Sequence, residues 1–172
     1  MMIHVERNFL EIKDLRNLKE NINMENNFLI KKIKPDFQLN KFFYKQVGKK
    51  HRWIDRLIWS DEKWMTYISN RNLETYVISK YDELVGFFEL LYNPELKETE
   101  ISYFGLLEEY IGKGIGGFAL SSAIRKAFEK NINRVWLHTC TLDHPNALKN
   151  YIARGMTVFK KENIKIKSTH NK

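Results

Sequence analysis

Residues 111–117 read Ile-Gly-Lys-Gly-Ile-Gly-Gly and hold half of the eight glycines in the chain. A strand-like segment, residues 99–107, precedes this stretch, and a helix-like segment, residues 118–130, follows it. Glycine is favoured where the backbone turns tightly or where another molecule approaches it closely. A glycine turn that opens a helix presents unpaired N–H groups, and the helix dipole makes that end attractive to an anion. The stretch therefore predicts a site for a ligand that carries phosphate.

Other phosphate-binding motifs fit this stretch less well. Gly112, Gly114 and Gly117 match the G-x-G-x-x-G pattern of dinucleotide-binding folds, but that fold also needs an acidic residue at the end of the next strand. Residues 135–138 supply none. A Walker-type loop needs Ser or Thr directly after Gly-Lys, whereas Lys113 is followed by glycine. Tight packing of a helix against a strand, with no ligand, remains the structural alternative.

Composition and charge limit the class of protein. The chain has 172 residues, of which 43% are hydrophobic, and this favours one folded domain with a substantial core. A single cysteine, Cys140, excludes an intrachain disulfide and suggests a reducing compartment. We expect a cytoplasmic protein with no signal peptide and no membrane association. The net charge of +8 leaves nucleic-acid binding as a less favoured alternative, since a basic cleft would equally suit a polyanionic cofactor.

The order of the predicted elements indicates an α+β (mixed α/β) class. Residues 1–25 carry a weak helical pattern and are interpreted as an N-terminal extension to a single domain, residues 26–172. Consecutive strands in the first half indicate antiparallel pairing, and the later strand–helix–strand units indicate parallel pairing with right-handed crossovers. The predicted strands cover residues 28–33, 73–80, 84–92, 99–107, 134–139 and 157–167, and the predicted helices cover residues 38–47, 60–69, 118–130 and 145–155.

Two motifs resemble the GNAT superfamily of N-acetyltransferases. Residues 106–116 are similar to its acetyl-CoA-binding motif, Gln/Arg-x-x-Gly-x-Gly/Ala, with Ile111 in the place of the Gln or Arg. Residues 146–156 resemble its second motif, Asn-x-x-Ala-x-x-x-Tyr-x-x-x-Gly-Phe, with tighter spacing between Asn and Ala and with Met156 in the place of the Phe. Further stretches resemble an uncharacterised bacterial branch of the family, so that the likeness covers about residues 26–160.

The resemblance implies a GNAT-like twisted mixed sheet of six to seven strands, antiparallel in its first half, with helices on both faces. It also implies an enzyme that transfers the acetyl group of acetyl-CoA to a primary amine. The glycine turn would hold the pyrophosphate, and the remaining residues would hold the pantetheine arm and the acetyl group. The cofactor-binding residues implied in this way are Leu106, Leu107, Gly112, Lys113, Gly114, Gly116, Gly117 and Asn146.

Acetyl transfer by direct attack needs a base, because an alkyl amine with a pKa of about 10.4 is almost wholly protonated at neutral pH. The departing thiolate is helped by a nearby acid. The resemblance favours Tyr151 for that role, since a phenol keeps its proton at neutral pH. Glu100 is the favoured base. Glu89 is the next candidate, because burial in an apolar run would raise its pKa, and His138 is the third. A structural role is the alternative for each.

Four classes of acceptor fit the sequence: a small-molecule amine, an amino acid, a peptide N-terminus and a protein lysine. Trp53, Arg56 and Trp59 are predicted to line the acceptor pocket, with core packing as the alternative. An arginine in that pocket would favour an acceptor with a carboxylate or phosphate. A homodimer also stays open.

Three residues of one loop, Cys140, Asp143 and His144, invite other chemistry. A metal site needs three or four close ligands, which the sequence does not supply, so no metal is expected. A role for Asp143 or His144 in capping the next helix is favoured over a Cys–His nucleophile pair. The alternative to an enzyme is a catalytically silent acyl-CoA-binding or regulatory module on the same fold.

Overall fold

A computed structural model of the protein describes residues 2–22 and 27–167. In this part of the chain one mixed sheet carries α-helices on both faces, which confirms the predicted class. The strands are β1 (Met2–Ile12), β2 (Phe28–Lys32), β3 (Leu73–Lys80), β4 (Glu83–Asn93), β5 (Glu98–Leu106), β6 (Arg134–Cys140) and β7 (Thr157–Lys167). The helices are α1 (Phe37–Gly48), α2 (Asp61–Ile68), α3 (Ile115–Ala127) and α4 (Ala147–Ala153).

Local sequence signals account for most of these elements. Each strand and helix predicted after residue 26 is present, and its ends lie within three residues of the prediction. The Asp36 carboxylate accepts hydrogen bonds from the N–H groups of Gln38 and Leu39, and this caps the start of α1. The Ser60 hydroxyl accepts one from Lys63 N–H at the start of α2. In the described part of the chain, no helix is both long and apolar enough to cross a membrane.

The N-terminal segment differs from the prediction. The sheet order is β2-β3-β4-β5-β6-β1-β7, so that β1 is an interior strand, antiparallel to both neighbours. The interpretation of this segment as an extension was wrong for residues 2–12, because they form β1, whose Val5, Leu10 and Ile12 are buried in the sheet. The weak helical pattern lies after β1, where the chain forms a single 3-10 turn at Leu15–Asn17. Residues 23–25 lie outside the described part of the chain. The expected parallel pairing holds for β5 and β6, whereas β1 separates β6 from β7.

The helices divide between the two faces of the sheet. Phe104 and Gly105 are neighbours on β5, so their side-chain directions are opposite. Gly105 lies against Val47 of α1, whereas the ring of Phe104 lies 6.4 Å from the ring of Tyr151 on α4. Because α2 contacts α1 and α3 contacts α4, one face carries α1 and α2 and the other carries α3 and α4. We call these the α1 face and the α3 face.

Candidate active site

The parallel strands β5 and β6 separate after three residue pairs. Their pairing joins Glu98–Glu100 to Arg134–Trp136 and ends there. Just beyond Glu100, the register between β4 and β5 shifts so that Ser102 is an extra residue on β5. Such a bulge bends a strand and increases its twist. The bulge therefore turns the rest of β5 away from β6 and leaves one edge of β5 without a neighbouring strand.

The backbone groups on that edge can be identified from the hydrogen bonds on the other side. Successive residues of an antiparallel strand direct their N–H and C=O groups to opposite sides. Leu107 N–H donates to the Val85 carbonyl at 2.8 Å, on the β4 side. Phe104 and Leu106 consequently direct their backbone groups into the gap. Leu107, which was predicted to contact the cofactor, has its N–H committed to Val85 and its carbonyl to the N–H of Tyr110.

The glycine turn lies at the open end of this gap. Gly112 and Gly114 have φ angles of 78° and 76°, in the left-handed region that favours glycine. Gly114 is the N-cap of α3 and makes no side-chain capping bond, so the first amides of the helix keep their capacity to bind an anion. The Lys113 ammonium lies 5.5 Å from the centre of the Tyr110 ring.

A cleft of about 820 Å³ joins the glycine turn to the α1 face of the sheet. It brings together the strand edge, the glycine turn, the α1–α2 connection and the start of α4. The predicted site residues that line it are Trp53, Arg56, Glu100, Leu106, Gly112, Gly116, Asn146 and Tyr151. The predicted residues outside its lining are Trp59, Glu89, Leu107, Lys113, Gly114 and Gly117.

Tyr151 reaches the cleft from α4, on the α3 face, and is buried. Burial raises the pKa of its phenol, and the negative charge of Asp143 raises that pKa further. The hydroxyl therefore keeps its proton at neutral pH. Within the described residues no side chain forms a hydrogen bond with it, which leaves its proton available for donation.

Glu100 is the last residue of β5 that pairs with β6, and it lines the cleft from the α1 face. Burial raises the pKa of its carboxyl group, the nearby Arg56 lowers it, and the charges of Glu98 and Glu89 raise it. The net pKa lies above the ordinary value for glutamate. A carboxylate with a raised pKa at the closed end of the gap suits a proton acceptor.

Glu89 has a different environment from the one predicted. Its side chain is 1% exposed and does not line the cleft. Its carboxylate accepts hydrogen bonds from Asn40 Nδ2 at 2.9 Å and from Tyr67 Oη at 2.7 Å, and Arg56 Nη1 lies 3.3 Å from Oε2. With both oxygens engaged, Glu89 acts as a buried counter-ion, and the geometry does not support its predicted role as the base.

Arg56, the partner of Glu89, is 7% exposed and lies among aromatic rings. Its guanidinium carbon is 4.0 Å from the centre of the Tyr67 ring and 4.1 Å from that of Tyr103. Trp53 packs against Tyr103 and faces the cleft, whereas Trp59 packs behind Arg56. Because Glu89 balances its charge, Arg56 is a weaker anchor for an acceptor anion than the sequence suggested.

The loop after β6 is held by its own side chains. Asp143 Oδ2 accepts hydrogen bonds from Thr139 Oγ1 at 2.5 Å and from Cys140 N–H at 2.9 Å, and thus closes the turn. His144 Nδ1 accepts a hydrogen bond from the N–H of Asn146, the N-cap of α4. Across residues 2–22 and 27–167, no group of three or more His, Cys, Asp or Glu side chains is arranged to hold a metal ion.

The cleft lining also contains the third candidate base and several residues that the sequence analysis did not name. His138 faces it, as the third candidate base, and burial lowers the pKa of its imidazole, as does the nearby charge of Arg7. Arg7 itself lies on β1, and because that strand was not predicted, no sequence signal could bring it to the site. His51 and Asn150 are two further polar residues of the cleft lining that the sequence analysis did not name.

Comparison with known proteins agrees with this geometry. The profile of the Acetyltransferase (GNAT) family matches residues 35–156, which is most of the chain. The chain therefore belongs to the GNAT family, and the predicted resemblance is confirmed. No curated protein sequence matches the chain significantly.

Several solved structures share the fold at low sequence identity. A functionally unknown conserved protein from Staphylococcus epidermidis has a TM-score of 0.64 at 18% identity, over 94% of this chain and 61% of that one. A GCN5-related N-acetyltransferase from Kribbella flavida has a TM-score of 0.67 at 14% identity, over 99% of this chain and 62% of that one. This chain thus spans about three fifths of the length of either protein.

A shorter protein also shares the fold. An aminoglycoside acetyltransferase from an uncultured soil metagenomic sample has a TM-score of 0.62 at 15% identity, over 77% of this chain and 90% of that one. At these identities the three structures establish the fold alone.

The buried pair of Glu89 and Arg56 gives a prediction about stability. Glu89→Gln keeps the shape of the side chain but leaves the buried guanidinium without its counter-ion. We expect the free energy of unfolding, measured by urea denaturation, to fall by about 3 kcal/mol. Glu62→Gln, at an exposed position of α2, is the matched control and should change it by less than about 0.5 kcal/mol. Equal effects of the two substitutions would contradict the assignment.

Proposed function

We propose that this protein is an N-acetyltransferase that moves the acetyl group of acetyl-CoA to a primary amine. The observation that carries the proposal is the gap between β5 and β6, with the amide end of α3 at its mouth. The pantetheine arm of CoA contains two amide groups, which can pair with the free edge of β5 at Phe104 and Leu106 as a neighbouring strand would. Its pyrophosphate would then meet the glycine turn, and Asn146 would lie beside the arm.

The two sides of the gap supply different catalytic groups. The acceptor nitrogen attacks the thioester carbonyl carbon and forms the C–N bond. Glu100 receives the proton that the amine loses. The C–S bond breaks, and the departing sulfur takes the proton of the Tyr151 hydroxyl. The acid and the base lie on opposite faces of the sheet, joined by the gap, which suits a reaction in which cofactor and acceptor arrive from opposite sides.

Binding of CoA tests the proposal directly. Calorimetry should show that the protein binds CoA, and that Gly114→Ala weakens the affinity about tenfold, because alanine disfavours the left-handed conformation by about 1–2 kcal/mol. Lys113→Ala is the comparison variant. If backbone amides dominate the site, its affinity should fall by less than that of Gly114→Ala. Absence of CoA binding by the folded wild-type protein would overturn the proposal.

The role of Tyr151 is tested by Tyr151→Phe, which removes only the hydroxyl. We expect kcat for thiol release from acetyl-CoA to fall by about 10²-fold or more, since the departing sulfur loses its proton donor. The dissociation constant for CoA should stay within about twofold of the wild-type value, as measured by calorimetry. An unchanged kcat would remove Tyr151 from the mechanism. A protein that binds CoA but acetylates no amine would instead be the catalytically silent module.

The role of Glu100 gives a pH dependence. A base works in its ionised form, so the rate should rise as the pH rises through the pKa of Glu100. Because that pKa is raised, the rising limb of the pH–rate profile should lie at higher pH than an ordinary glutamate would give. Glu100→Gln should lower kcat/KM by about 10²-fold and remove that limb from the pH profile. A profile that keeps the same acidic limb in Glu100→Gln would assign the base to another group, such as His138.

A further inference from the structure

The acceptor side of the cleft lies on the α1 face. The cofactor side is marked by the glycine turn and Tyr151, which belong to α3 and α4 on the opposite face. Glu100 shares its face with Leu91 and with Glu89, which contacts residues of α1 and α2. An amine that meets the acetyl group at Glu100 therefore approaches over the α1 face.

Arg7 of β1 lies on this same face. Trp136 of β6 pairs with Glu100 on one side and with Glu11 on the other, so these three residues share a face. Arg7 is four residues before Glu11 on β1, and side chains two or four residues apart in a strand point the same way. Glu100 and Arg7 are separated by two strand spacings, from β5 to β6 and from β6 to β1, and by four residues along β1. These spacings place their Cα atoms roughly 16 Å apart, and both side chains extend into the space between.

The guanidinium of Arg7 has donors to spare. Its Nε is buried and has no hydrogen-bond partner among the described residues. Within residues 2–22 and 27–167, it forms one long ion pair, with Nη1 at 3.9 Å from Glu162 Oε2, and the other oxygen of Glu162 lies 2.6 Å from the Lys160 ammonium. Arg56, by contrast, is enclosed with Glu89, and Arg134 bonds Glu98 at 2.7 Å and Glu11 at 2.9 Å.

The cleft wall on one side of Arg7 is apolar, and the Glu162 carboxylate on the neighbouring strand is paired with Lys160. Val5, Ile164 and Ile166 line the cleft beside it. His138, which faces the cleft between Arg7 and Glu100, has a lowered pKa and adds no positive charge at neutral pH. The carboxylate of Asp143 is already held by two donors from the β6 end. A partly exposed guanidinium whose buried Nε has no partner among the described residues, beside apolar side chains of the cleft, is suited to a carboxylate or phosphate.

We infer that the acceptor is a primary amine that also carries a carboxylate or phosphate group, which Arg7 binds while Glu100 faces the amine. This inference rests on the proposed acetyltransferase function and deepens it by naming the acceptor class. The sequence analysis gave the anion-binding role to Arg56, and the structure moves it to Arg7 because Glu89 already neutralises Arg56.

Matched pairs of amines test the inference. The carboxylate pair is 4-aminobutyrate and butylamine, and the phosphate pair is O-phosphoethanolamine and ethanolamine. Thiol release from acetyl-CoA should give a kcat/KM at least tenfold higher for the anionic member of one pair, which also tells carboxylate from phosphate. Arg7→Gln should reduce this ratio to within about twofold of one, and Arg7→Lys should restore part of it. Arg16→Gln, at an arginine outside the cleft whose side chain is 90% exposed, is the matched control and should keep the wild-type ratio.

A ratio near one for both pairs in the wild-type protein would overturn the inference, as would Arg7→Gln lowering both members of a pair alike. Should none of the four amines be acetylated, calorimetry with the two anionic amines on CoA-loaded protein decides. Binding that Arg7→Gln abolishes supports the inference, and no binding overturns it. Failure to bind CoA would instead overturn the proposed function, so the two failures are distinguishable.

Discussion

The unpaired edge of β5 is the constraint on which the rest of the site depends. Parallel strands that stayed paired along their length would leave no room between them, and the backbone groups of Phe104 and Leu106 would be satisfied by β6. The extra residue at Ser102 ends that pairing directly after Glu100. A backbone edge inside a folded protein still needs hydrogen-bond partners, so the gap is suited to an extended ligand rich in amides.

The gap also explains why the candidate site residues come from both faces of the sheet. The glycine turn and Tyr151 approach from the α3 face, and Glu100 approaches from the α1 face. Behind Glu100, the pair of Glu89 and Arg56 lies among aromatic rings that tie α1 and α2 to the sheet. The sequence analysis predicted Glu89 as a catalytic base and Arg56 as a residue of the acceptor pocket. Their burial and mutual pairing show that they support the wall of the cleft.

Much of the fold followed from local patterns. The alternation of β7, the caps of α1 and α2 and the glycine turn are properties of short segments, and their predictions agree with the structure. β1 was missed because its sequence, Met-Ile-His-Val-Glu-Arg-Asn-Phe-Leu-Glu-Ile, alternates imperfectly. Its polar residue Asn8 is buried within the sheet, while Phe9 is only partly buried. An interior strand is defined by its two neighbours, which lie more than a hundred residues away in the sequence.

The sequence by itself determined the glycine turn and the order of elements after residue 26, because glycine content and residue periodicity act over a few residues. The family followed from the resemblance of two short motifs, residues 106–116 and 146–156. Only the tertiary structure decided which charged residues reach the cleft. Glu89 and Glu100 both lie on strands next to apolar residues and look alike in sequence, yet one is enclosed with Arg56 and the other faces the gap. Arg7 enters the site only through the pairing of β1 with β6. Burial and charge pairing depend on contacts between distant segments, and a linear sequence does not specify them.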